Sequence, residues 1–551
     1  MAGKGGKTAY RGGGAEARSA APSEGLVDDI VRQFADPYAF FRELVQNAID
    51  AGATKITVRF VHDEAEQVAR ISVEDDGSGM SAEVLEGDLT VLFKSTKENR
   101  DDAIGKFGIG FVSVLALGPT LVAVDTSLGD GVRHRLELHQ DHTYDLLRSE
   151  GKTRGTTVTL HVPTTGEELE ERIARSRASL LKWCLHARVP ITLAILTAAS
   201  QPAPERIDRP MDLPEALLEV KGVSRDQHTE VVVGLGTVPG ARGAFYNRGL
   251  LLHESEEVFP GIGAVWFKVA DGRLEHTLSR DDVRRDAHFS TALERVARTV
   301  HGPLSDALHE QLKNAALEPW RRHFDAAMHA GLALRADVHV PLAVPIGGAA
   351  SWPLSRLGAL LTLPLEPSMA ELLAEQGIGV VALEPRHDDA RLSELARITG
   401  RHSTLAAAHY ASIDPQLPEA AAGLDAIVEP LSAILAKVAR KPSGIAFARF
   451  SGGAGGTLAL GLARPERRIA MPVSELTADP FRLLARPPLL LHVEHPVLSA
   501  AARALTRGVD AVTVAALVTR AILDERAMLD TERRAALLHA GIELALKGAR
   551  S

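Results

Sequence analysis

Residues 41–50 read FRELVQNAID, a mostly apolar segment that carries three polar side chains at a regular spacing. Glu43, Asn47 and Asp50 follow the i, i+4, i+7 pattern, so a helix in this segment places all three on one face. Burying two carboxylates and an amide together is costly unless a ligand, a metal or a partner compensates them. Taken alone, the segment fits either a solvent-facing acidic surface or a binding site.

The composition of the 551-residue chain indicates several packed domains, because 45% of its residues are hydrophobic. The net charge of −9 argues against a nucleic-acid footprint that covers most of the surface, although a local basic groove remains compatible with it. Cys184 is the single cysteine. An internal disulfide is therefore excluded, and we expect a core thiol in a reducing compartment.

The distribution of apolar residues predicts a cytoplasmic protein. No apolar run reaches the roughly 18 residues that a membrane-spanning helix needs. The first 24 residues lack the apolar core of a signal peptide and are rich in glycine and alanine, so we expect a flexible tail.

Helical and extended patterns over the first 165 residues predict an α+β domain. After the helix that contains FRELVQNAID, the segments ATKITVRFVH and VARISVEDD have the β-branched content of strands. Three further strands, TLVAVDTS, VRHRLELHQ and GTTVTLHVP, follow a glycine-punctuated region. The order predicts helices on one face of a mostly antiparallel sheet.

Two motifs have the chemistry of a pocket for a flat ligand. VEDDGSGM (residues 73–80) places Asp75 at the predicted end of a strand, with Gly77 and Gly79 at alternate positions after it. Such a turn lets the backbone approach a ligand closely while the carboxylate accepts a hydrogen bond. The motif RGTTVTLHV supplies Thr156 on a strand that we expect to close the pocket.

A third motif has the chemistry of a phosphate site. IGKFGIGF (residues 104–111) spaces Gly105, Gly108 and Gly110 before an apolar helix that we expect to begin near Phe111. Glycine-rich backbone at a helix N-terminus is suited to binding phosphate. Each motif is commonplace alone, but in this order each supplies a different part of one nucleotide site.

The ordered set resembles the GHKL ATPases, which include gyrase, Hsp90, histidine kinases and MutL and share the left-handed α/β ATP-binding sandwich called the Bergerat fold. The segment IGKFGIGF followed by VSVLAL looks like Hsp90. The helix ELVQNAIDAGAT looks more like MutL, so the match is mixed.

The resemblance implies a role for each matching residue at Mg-ATP. Glu43 would position or deprotonate the attacking water, Asn47 would hold the Mg²⁺ that bridges the phosphates, and Asp75 would accept from the adenine amino group. The other residues that the resemblance places around ATP are Asp50, Gly77, Gly79, Met80, Lys94, Gly105, Lys106, Phe107, Gly108, Ile109, Gly110, Phe111 and Thr156.

A later segment resembles the Hsp90 middle domain. LEHTLSRDDVRRD (residues 274–286) looks like the stretch whose arginine approaches the γ-phosphate, and that residue is Arg280 here. Such an arginine would neutralise charge that develops on the transferred phosphoryl group. Arg284 stands where Hsp90 usually has a glutamine.

Resemblance to Hsp90 continues, more weakly, towards the C-terminus. LLAEQGIGVVALEPRHDDARLSEL looks like the small α/β part of the Hsp90 middle region, and LLLHVEHPVLSAAARAL looks like its dimerisation region. The implied domains are a tail (1–25), an ATP-binding domain (26–165), a middle domain with the catalytic arginine (166–335), a small α/β part (336–483) and a helical dimerisation domain (484–551).

The function that the resemblance implies is that of an ATP-dependent chaperone. A homodimer would close around protein clients as ATP binds and is hydrolysed, with no membrane or nucleic acid as partner. Two alternatives stay open. One is a MutL- or MORC-like ATPase that acts on DNA, and the other is a GHKL nucleotide switch in signalling or defence.

Overall fold

The computed structural model describes residues 8–10, 36–85, 108–141, 143–151, 153–197, 201–223, 228–277, 282–476 and 488–548. The chain divides into two compact units, one of residues 1–304 with 329–331 and the other of residues 305–328 with 332–551. Helices and strands occur throughout both units, which confirms the predicted α+β class. No helix among the described residues is long and apolar enough to cross a membrane.

The first unit begins with a nine-stranded sheet. Its strands are β1 (Thr8–Tyr10), β2 (Ile56–Asp63), β3 (Val68–Asp75), β4 (Leu121–Ser127), β5 (Gly131–His139), β6 (Tyr144–Gly151), β7 (Gly155–Pro163), β8 (Ile191–Leu196) and β9 (Glu205–Arg206). They lie in the order β1-β6-β5-β4-β7-β3-β2-β8-β9, and every neighbouring pair except β2 and β8 is antiparallel. The mostly antiparallel sheet was predicted, while the parallel strand β8 was not.

Among the described residues, four helices accompany this sheet. They are α1 (Phe40–Asp50), α2 (Ala82–Val84), α3 (Gly108–Val112) and α4 (Gly166–Cys184), with a 3₁₀ turn at Ser113–Leu117. Helix α1 buries an apolar face that includes Phe40, Phe41 and Val45, and this face packs into the same core as the inward side chains of β2 and β3. Cys184 is fully buried in that core, as predicted, and burial raises the pKa of its thiol to about 12.

A second, five-stranded sheet completes the first unit. Its strands are β10 (Ala216–Val223), β11 (Thr229–Gly236), β12 (Arg242–Asn247), β13 (Leu250–Ser255) and β14 (Trp266–Asp271). The order is β10-β11-β14-β12-β13, and α5 (Ala287–Thr299) with the π-helical turn Val300–Leu304 packs on it. The hairpin of β12 and β13 closes through Arg248 and Gly249, and this turn matters for the site described below.

The second unit contains smaller sheets surrounded by helices. Its helices are α6 (Ser305–Asn314), α7 (Leu317–Ala330, whose last two residues group with the first unit), α8 (Pro367–Glu375), α9 (Pro385–Thr399), α10 (Ala406–His409), α11 (Val428–Val438), α12 (Val473–Leu476), α13 (Pro496–Thr506), α14 (Ala511–Glu525) and α15 (Thr531–Gly548). Its strands are β15 (His339–Ile346), β16 (Ala349–Pro353), β17 (Leu360–Thr362), β18 (Ser403–Leu405), β19 (Tyr410–Asp414), β20 (Ile445–Gly452), β21 (Ala459–Leu460), β22 (Ile469–Pro472) and β23 (Leu489–His492). Short 3₁₀ turns lie at Leu354–Arg356, Glu419–Ala421 and Leu424–Ile427.

The last part of the chain shares its core with the preceding segment. Strand β23 lies between β21 and β20 in a five-stranded sheet. Helices α13 to α15 pack with α11 around one apolar cluster that includes Leu431, Leu491, Val518 and Ala540. Removing all residues from 484 onward would therefore strip an interior strand from this sheet. A test of the predicted dimerisation region is better made with surface substitutions.

Candidate nucleotide site

A cavity of about 300 Å³ opens between α1 and the ends of β3 and β7. Its volume is at the lower end of the range that small-molecule sites usually have. The lining residues are Leu44, Asn47, Ala48, Asp50, Ala51, Val73, Asp75, Ser78, Gly79, Met80, Val84, Phe111, Val124, Thr156 and Val158. The three sequence motifs that lie far apart along the chain thus meet around one space.

Asp75 is the half-buried carboxylate of this cavity. Burial raises the pKa of Asp75, while hydrogen bonds from the backbone N–H groups of Gly77 and Thr156 oppose the shift. The Gly77 N–H donates to Oδ1 of Asp75 at 2.8 Å. Because a carboxylate has more lone pairs than these two donors occupy, Asp75 retains capacity to accept from a ligand.

Two glycines allow close contacts between backbone segments at the cavity. Gly79 has φ +72°, and a Cβ there would overlap the carbonyl oxygen of Ser127. Gly155 has φ +126°, and a Cβ there would overlap the carbonyl oxygen of Asp75 itself. Both positions therefore require glycine on conformational and steric grounds.

Thr126 supports the turn over the cavity and was not predicted from the sequence. Its buried hydroxyl accepts from the backbone N–H of Met80 at 2.9 Å and lies 3.0 Å from the hydroxyl of Thr156. Thr126 and Thr156 are directly opposed in the β4–β7 pairing. A hydroxyl at the end of the apolar strand TLVAVDTS, opposite a site threonine, is the signal that could have identified it.

Asn47 and Asp50 lie at the exposed side of the cavity, on the face of α1 that the sequence predicted. Asp50 accepts from Nε2 of Gln46 at 3.0 Å and forms an ion pair with Arg248. Arg248 comes from the β12–β13 turn and was not anticipated. A cation here also complements the negative end of the α1 dipole, since α1 ends at Asp50.

Glu43 faces a different space from Asn47 and Asp50. It lines a neighbouring cavity of about 260 Å³, together with Gln46 from α1 and residues from the second sheet. The Arg42 guanidinium donates to Oε1 of Glu43 at 3.0 Å, and the two side chains are only 8% and 14% exposed. Arg42 also lies over the Trp183 ring at 4.9 Å. The polar face of α1 is therefore divided between two cavities.

The predicted phosphate segment is only partly described. The described part of helix α3 covers Gly108–Val112, so the helix is already formed before Phe111, and Gly108 and Gly110 lie within a helical turn. Phe111 lines the cavity, whereas only the backbone of Ile109 is described. The other predicted residues, Lys94, Gly105, Lys106, Phe107 and Arg280, lie outside the described residues.

The residues at the cavity fit a metal ion that takes most of its ligands from the phosphates of a nucleotide. Within the described ranges, no three His, Cys, Asp or Glu side chains group together as a metal site. Mg²⁺ commonly takes only one or two protein oxygens beside the phosphates of a nucleotide. The exposed amide of Asn47 at the cavity can supply one such oxygen.

Comparison with known proteins identifies the domain around this cavity. Residues 40–150 match a family described as histidine kinase-, DNA gyrase B-, and HSP90-like ATPase. These bounds contain α1, Asp75, Thr126 and the described part of the glycine-rich segment. Thr156 lies just beyond them.

Several relatives share part of the chain. The chaperone protein HtpG of Oceanobacillus iheyensis is 28% identical over 173 residues, which cover 27% of this chain and 28% of the relative. HtpG of Anaplasma marginale is 32% identical over 148 residues, 22% of this chain and 23% of the relative. The DNA mismatch repair protein MutL of Sphingopyxis alaskensis is 38% identical over 105 residues, 18% of this chain and 16% of the relative. The chain thus matches less than a third of the length of these relatives.

Proposed function

We propose that this chain is an ATP-dependent chaperone, a divergent Hsp90-like protein. Its residues 40–150 form a domain of the histidine kinase-, DNA gyrase B- and HSP90-like ATPases. The observation that carries the nucleotide assignment is the position of Asp75. It lies in a largely apolar cavity that also contains Asn47 and Thr156. The chaperone assignment is supported by the similarity to HtpG and by the Arg280 motif.

The cavity suits an adenine ring. Apolar side chains from α1, β3, β4, β7 and α3 supply a slot for a flat ligand, and the lining residues of this kind are Leu44, Ala48, Val73, Phe111, Val124 and Val158. The adenine amino group is a hydrogen-bond donor, and Asp75 is a carboxylate acceptor within the slot. In this position Asp75 selects adenine over a base that presents a carbonyl oxygen there.

Hydrolysis requires a water molecule beside the γ-phosphate, and Glu43 is the proposed residue that orients it. Asn47 would hold the Mg²⁺, which neutralises charge on the phosphates. Glu43 lies one helical turn before Asn47, and the two side chains line neighbouring cavities along α1. Arg42 holds the Glu43 carboxylate in place.

Arg280 is the proposed source of positive charge at the γ-phosphate. Thr277, three residues before Arg280 in the chain, lines the same cavity as Glu43. The described residue nearest to Arg280 on its N-terminal side thus lies at the cavity that contains Glu43, which supports the assignment.

The C-terminal helices offer a surface for the proposed homodimer. Leu517 on α14 is 61% exposed, and Leu538 and Ile542 on α15 are 70% and 60% exposed. Leu538 and Ile542 are four residues apart and therefore share one face of α15. Large apolar side chains of this kind, exposed together, are typical of a surface that binds a partner.

The MutL match supports a second candidate function, an ATPase that acts on DNA. Its identity of 38% exceeds that of the two HtpG relatives described above, although it covers only 105 residues. The two candidates differ in partner. DNA affinity that falls steeply as salt is raised favours the MutL-like function. Suppression of aggregation of an unfolded model protein, dependent on ATP, favours the chaperone.

The direct test of the proposed ATPase is Glu43→Gln in the full chain. Glutamine keeps an oxygen for Arg42 to donate to, so the buried cation is not left unpaired. We expect ATP affinity within about twofold of the parent and single-turnover hydrolysis slower by on the order of 10²-fold or more. Glu66→Gln, on an exposed turn, is the matched control. Parental turnover in Glu43→Gln would remove Glu43 from the mechanism.

A further inference from the structure

A cavity of about 600 Å³ lies on the second sheet, and none of its described lining residues belongs to the nucleotide cavity. Strands β12, β13 and β14 and the segment before β10 surround it. Its volume is within the range of ordinary small-molecule sites. The space is therefore large enough for a ligand of its own.

The walls of this cavity favour a neutral ligand with an apolar body. Apolar residues supply part of the wall, namely Leu213, Pro214, Ala244 and Trp266. Three exposed glutamates also line the cavity, Glu215, Glu254 and Glu256. Their negative charge disfavours a ligand that carries a carboxylate or a phosphate group.

Arg242, one of the two cations at the cavity, already has partners in the protein. Its guanidinium carbon lies 4.3 Å from the centre of the Trp266 ring, and its Nη1 atom is 3.7 Å from Oε2 of Glu215. The other cation, Lys268, lines the cavity from the interior of β14. Among the described residues, the hydrogen-bond partner of its Nζ atom is Nε2 of His186, at 2.9 Å.

The surroundings of Lys268 favour a neutral amine. Burial lowers the pKa of Lys268, while the carboxylates of Asp212, Glu254 and Glu219 oppose the shift. At a given pH, a larger share of this side chain is therefore neutral than of an ordinary lysine. Only the neutral form of an amine has the lone pair that makes it a nucleophile.

His186 is oriented to take a proton from Lys268. It is buried, and its Nδ1 atom lies 3.0 Å from the carbonyl oxygen of Arg209. Because a carbonyl oxygen can only accept, Nδ1 carries the hydrogen and Nε2 presents its lone pair to Lys268. Burial lowers the pKa of His186, as do the charges of Lys268 and Lys221, whereas the hydrogen bond to Arg209 and the charge of Asp212 oppose this shift. A nucleophile beside a base that a third group orients is the arrangement of nucleophilic catalysis.

We propose that Lys268 is a nucleophilic lysine that forms an imine with a neutral aldehyde or ketone bound in this cavity, and that His186 carries the proton. The apolar wall would hold the body of the ligand, with the carbonyl carbon at the amine. The proposed site is independent of the ATPase function, because it uses none of the residues assigned to ATP.

Imine formation requires two proton movements and consumes no oxidant or reductant. The lone pair of Nζ forms a bond to the carbonyl carbon, and the π electrons of the C=O bond move to the oxygen. Nε2 of His186 takes a proton from the positively charged nitrogen and returns it to that oxygen. The nitrogen lone pair then forms the C=N bond as the C–O bond breaks, and the oxygen leaves as water with the second N–H proton.

The test uses the full chain, 2-naphthaldehyde as the probe and cyanoborohydride to trap the imine, with the modified lysines identified by peptide mass spectrometry. At neutral pH we expect Lys268 to be modified faster than the exposed Lys55 by on the order of 10-fold or more, since the cavity holds the aldehyde beside the amine. The rate at Lys268 should reach half its maximum at a lower pH than the rate of Nα-acetyl-lysine amide in the same solution. Equal rates at Lys268 and Lys55, or a midpoint at the pH of the free lysine derivative, would overturn the proposal.

A competitor without a carbonyl group tests the role of the cavity in the parent protein. An excess of 2-naphthylmethanol has nearly the same shape as the probe and cannot form an imine. We expect it to slow modification of Lys268 by several-fold and to leave the rate at Lys55 unchanged. Equal rates at Lys268 with and without the competitor would show that the cavity does not bind the probe.

His186→Gln tests the proton carrier. Glutamine keeps an acceptor for Lys268 but cannot carry a proton, so modification of Lys268 should slow by on the order of 10-fold or more. His288→Gln, at an exposed position of α5, is the matched control and should keep the parental rate. A parental rate in a His186→Gln protein that melts at the parental temperature overturns the role of His186. Should His186→Gln fail to fold, the pH dependence and the competition in the parent protein still decide the proposal.

Discussion

Replacing Asp75 with asparagine should abolish tight ATP binding without unfolding the protein. The carboxylate accepts from the N–H groups of Gly77 and Thr156 and would also accept from the adenine amine. An asparagine has one oxygen and one NH₂ group in place of two oxygens. Whichever way the amide turns, its NH₂ faces a donor, either a backbone N–H or the ligand amine.

The expected loss follows from the hydrogen bonds concerned. A hydrogen bond to a charged group contributes about 1.5–3 kcal/mol. At 1.4 kcal/mol for each factor of ten, the dissociation constant for ATP should rise by about 10- to 150-fold. Titration calorimetry with a slowly hydrolysed ATP analogue and with ADP measures this directly. Unchanged affinity for both ligands would refute the assignment of the cavity to adenine.

The ligand-free Asp75→Asn protein should be at least as stable as the parent, although it binds ATP less tightly. Burial raises the pKa of Asp75 in the folded protein. The contribution of this group to the free energy of unfolding is therefore greatest below its ordinary pKa and falls as the pH rises through the raised folded-state pKa. At neutral pH the buried, charged carboxylate of Asp75 therefore destabilises the ligand-free protein. We expect Asp75→Asn to melt at the parental temperature or above it.

Asp76→Asn is the matched control for this experiment. Asp76 is adjacent in sequence but accepts from the N–H of Thr54 at 2.7 Å and from that of Lys55 at 3.1 Å, outside the cavity. The hydrogen bond from the Thr54 hydroxyl is the largest cause of a lowered pKa of Asp76. The contribution of Asp76 to the free energy of unfolding is thus present above its ordinary pKa and is lost as the pH falls through its lowered folded-state pKa. Asp76→Asn should lower the melting temperature and leave ATP affinity within about twofold.

Three further sets of substitutions test the cavity, the proposed catalytic arginine and the proposed dimer. Gly79→Ala should weaken ATP binding and lower the melting temperature, because the added Cβ meets Ser127. Gly118 also has a positive φ, +63°, but open space surrounds it, so Gly118→Ala should cost only about 1 kcal/mol of stability and leave ATP binding unchanged. Equal effects of the two on binding would count against the turn geometry. Arg280→Ala should slow single-turnover hydrolysis by on the order of 10³-fold with ATP affinity nearly intact, and normal turnover would leave a generic GHKL ATPase. The double substitution Leu538→Glu with Ile542→Glu should convert a nucleotide-free dimer into monomers in sedimentation experiments, and a persistent dimer would place the interface elsewhere.

The regular patterns of the sequence were sufficient to predict the nucleotide-binding domain. Alternation of apolar residues indicated most strands of the first sheet, and the 3.6-residue period put Asn47 and Asp50 on one face of α1. Both signals are local, since each depends on neighbours within about two turns or a few strand residues. Glycines with special backbone angles are also visible locally, as at Gly79.

Local sequence patterns did not predict the surroundings of each polar side chain. The helical period grouped Glu43 with Asn47 and Asp50, but packing gives Glu43 a separate cavity with an arginine beside it. The contact between the last two predicted domains was similarly hidden, because strand β23 pairs with β20, which lies in a part of the chain predicted to form another domain. Strand pairing and helix packing depend on residues far apart in the chain.

The sequence by itself determined that a nucleotide-sized pocket would form from an ordered set of motifs, because each motif has its backbone conformation and hydrogen-bonding groups built into adjacent residues. Only the tertiary structure decided which distant residues lie beside α1. Arg248 is 198 positions away from Asp50, with which it forms an ion pair, and Asn247, which lines the cavity beside Glu43, comes from the second sheet. No periodicity links such residues, since their proximity arises only when the apolar faces of both sheets and their helices are buried.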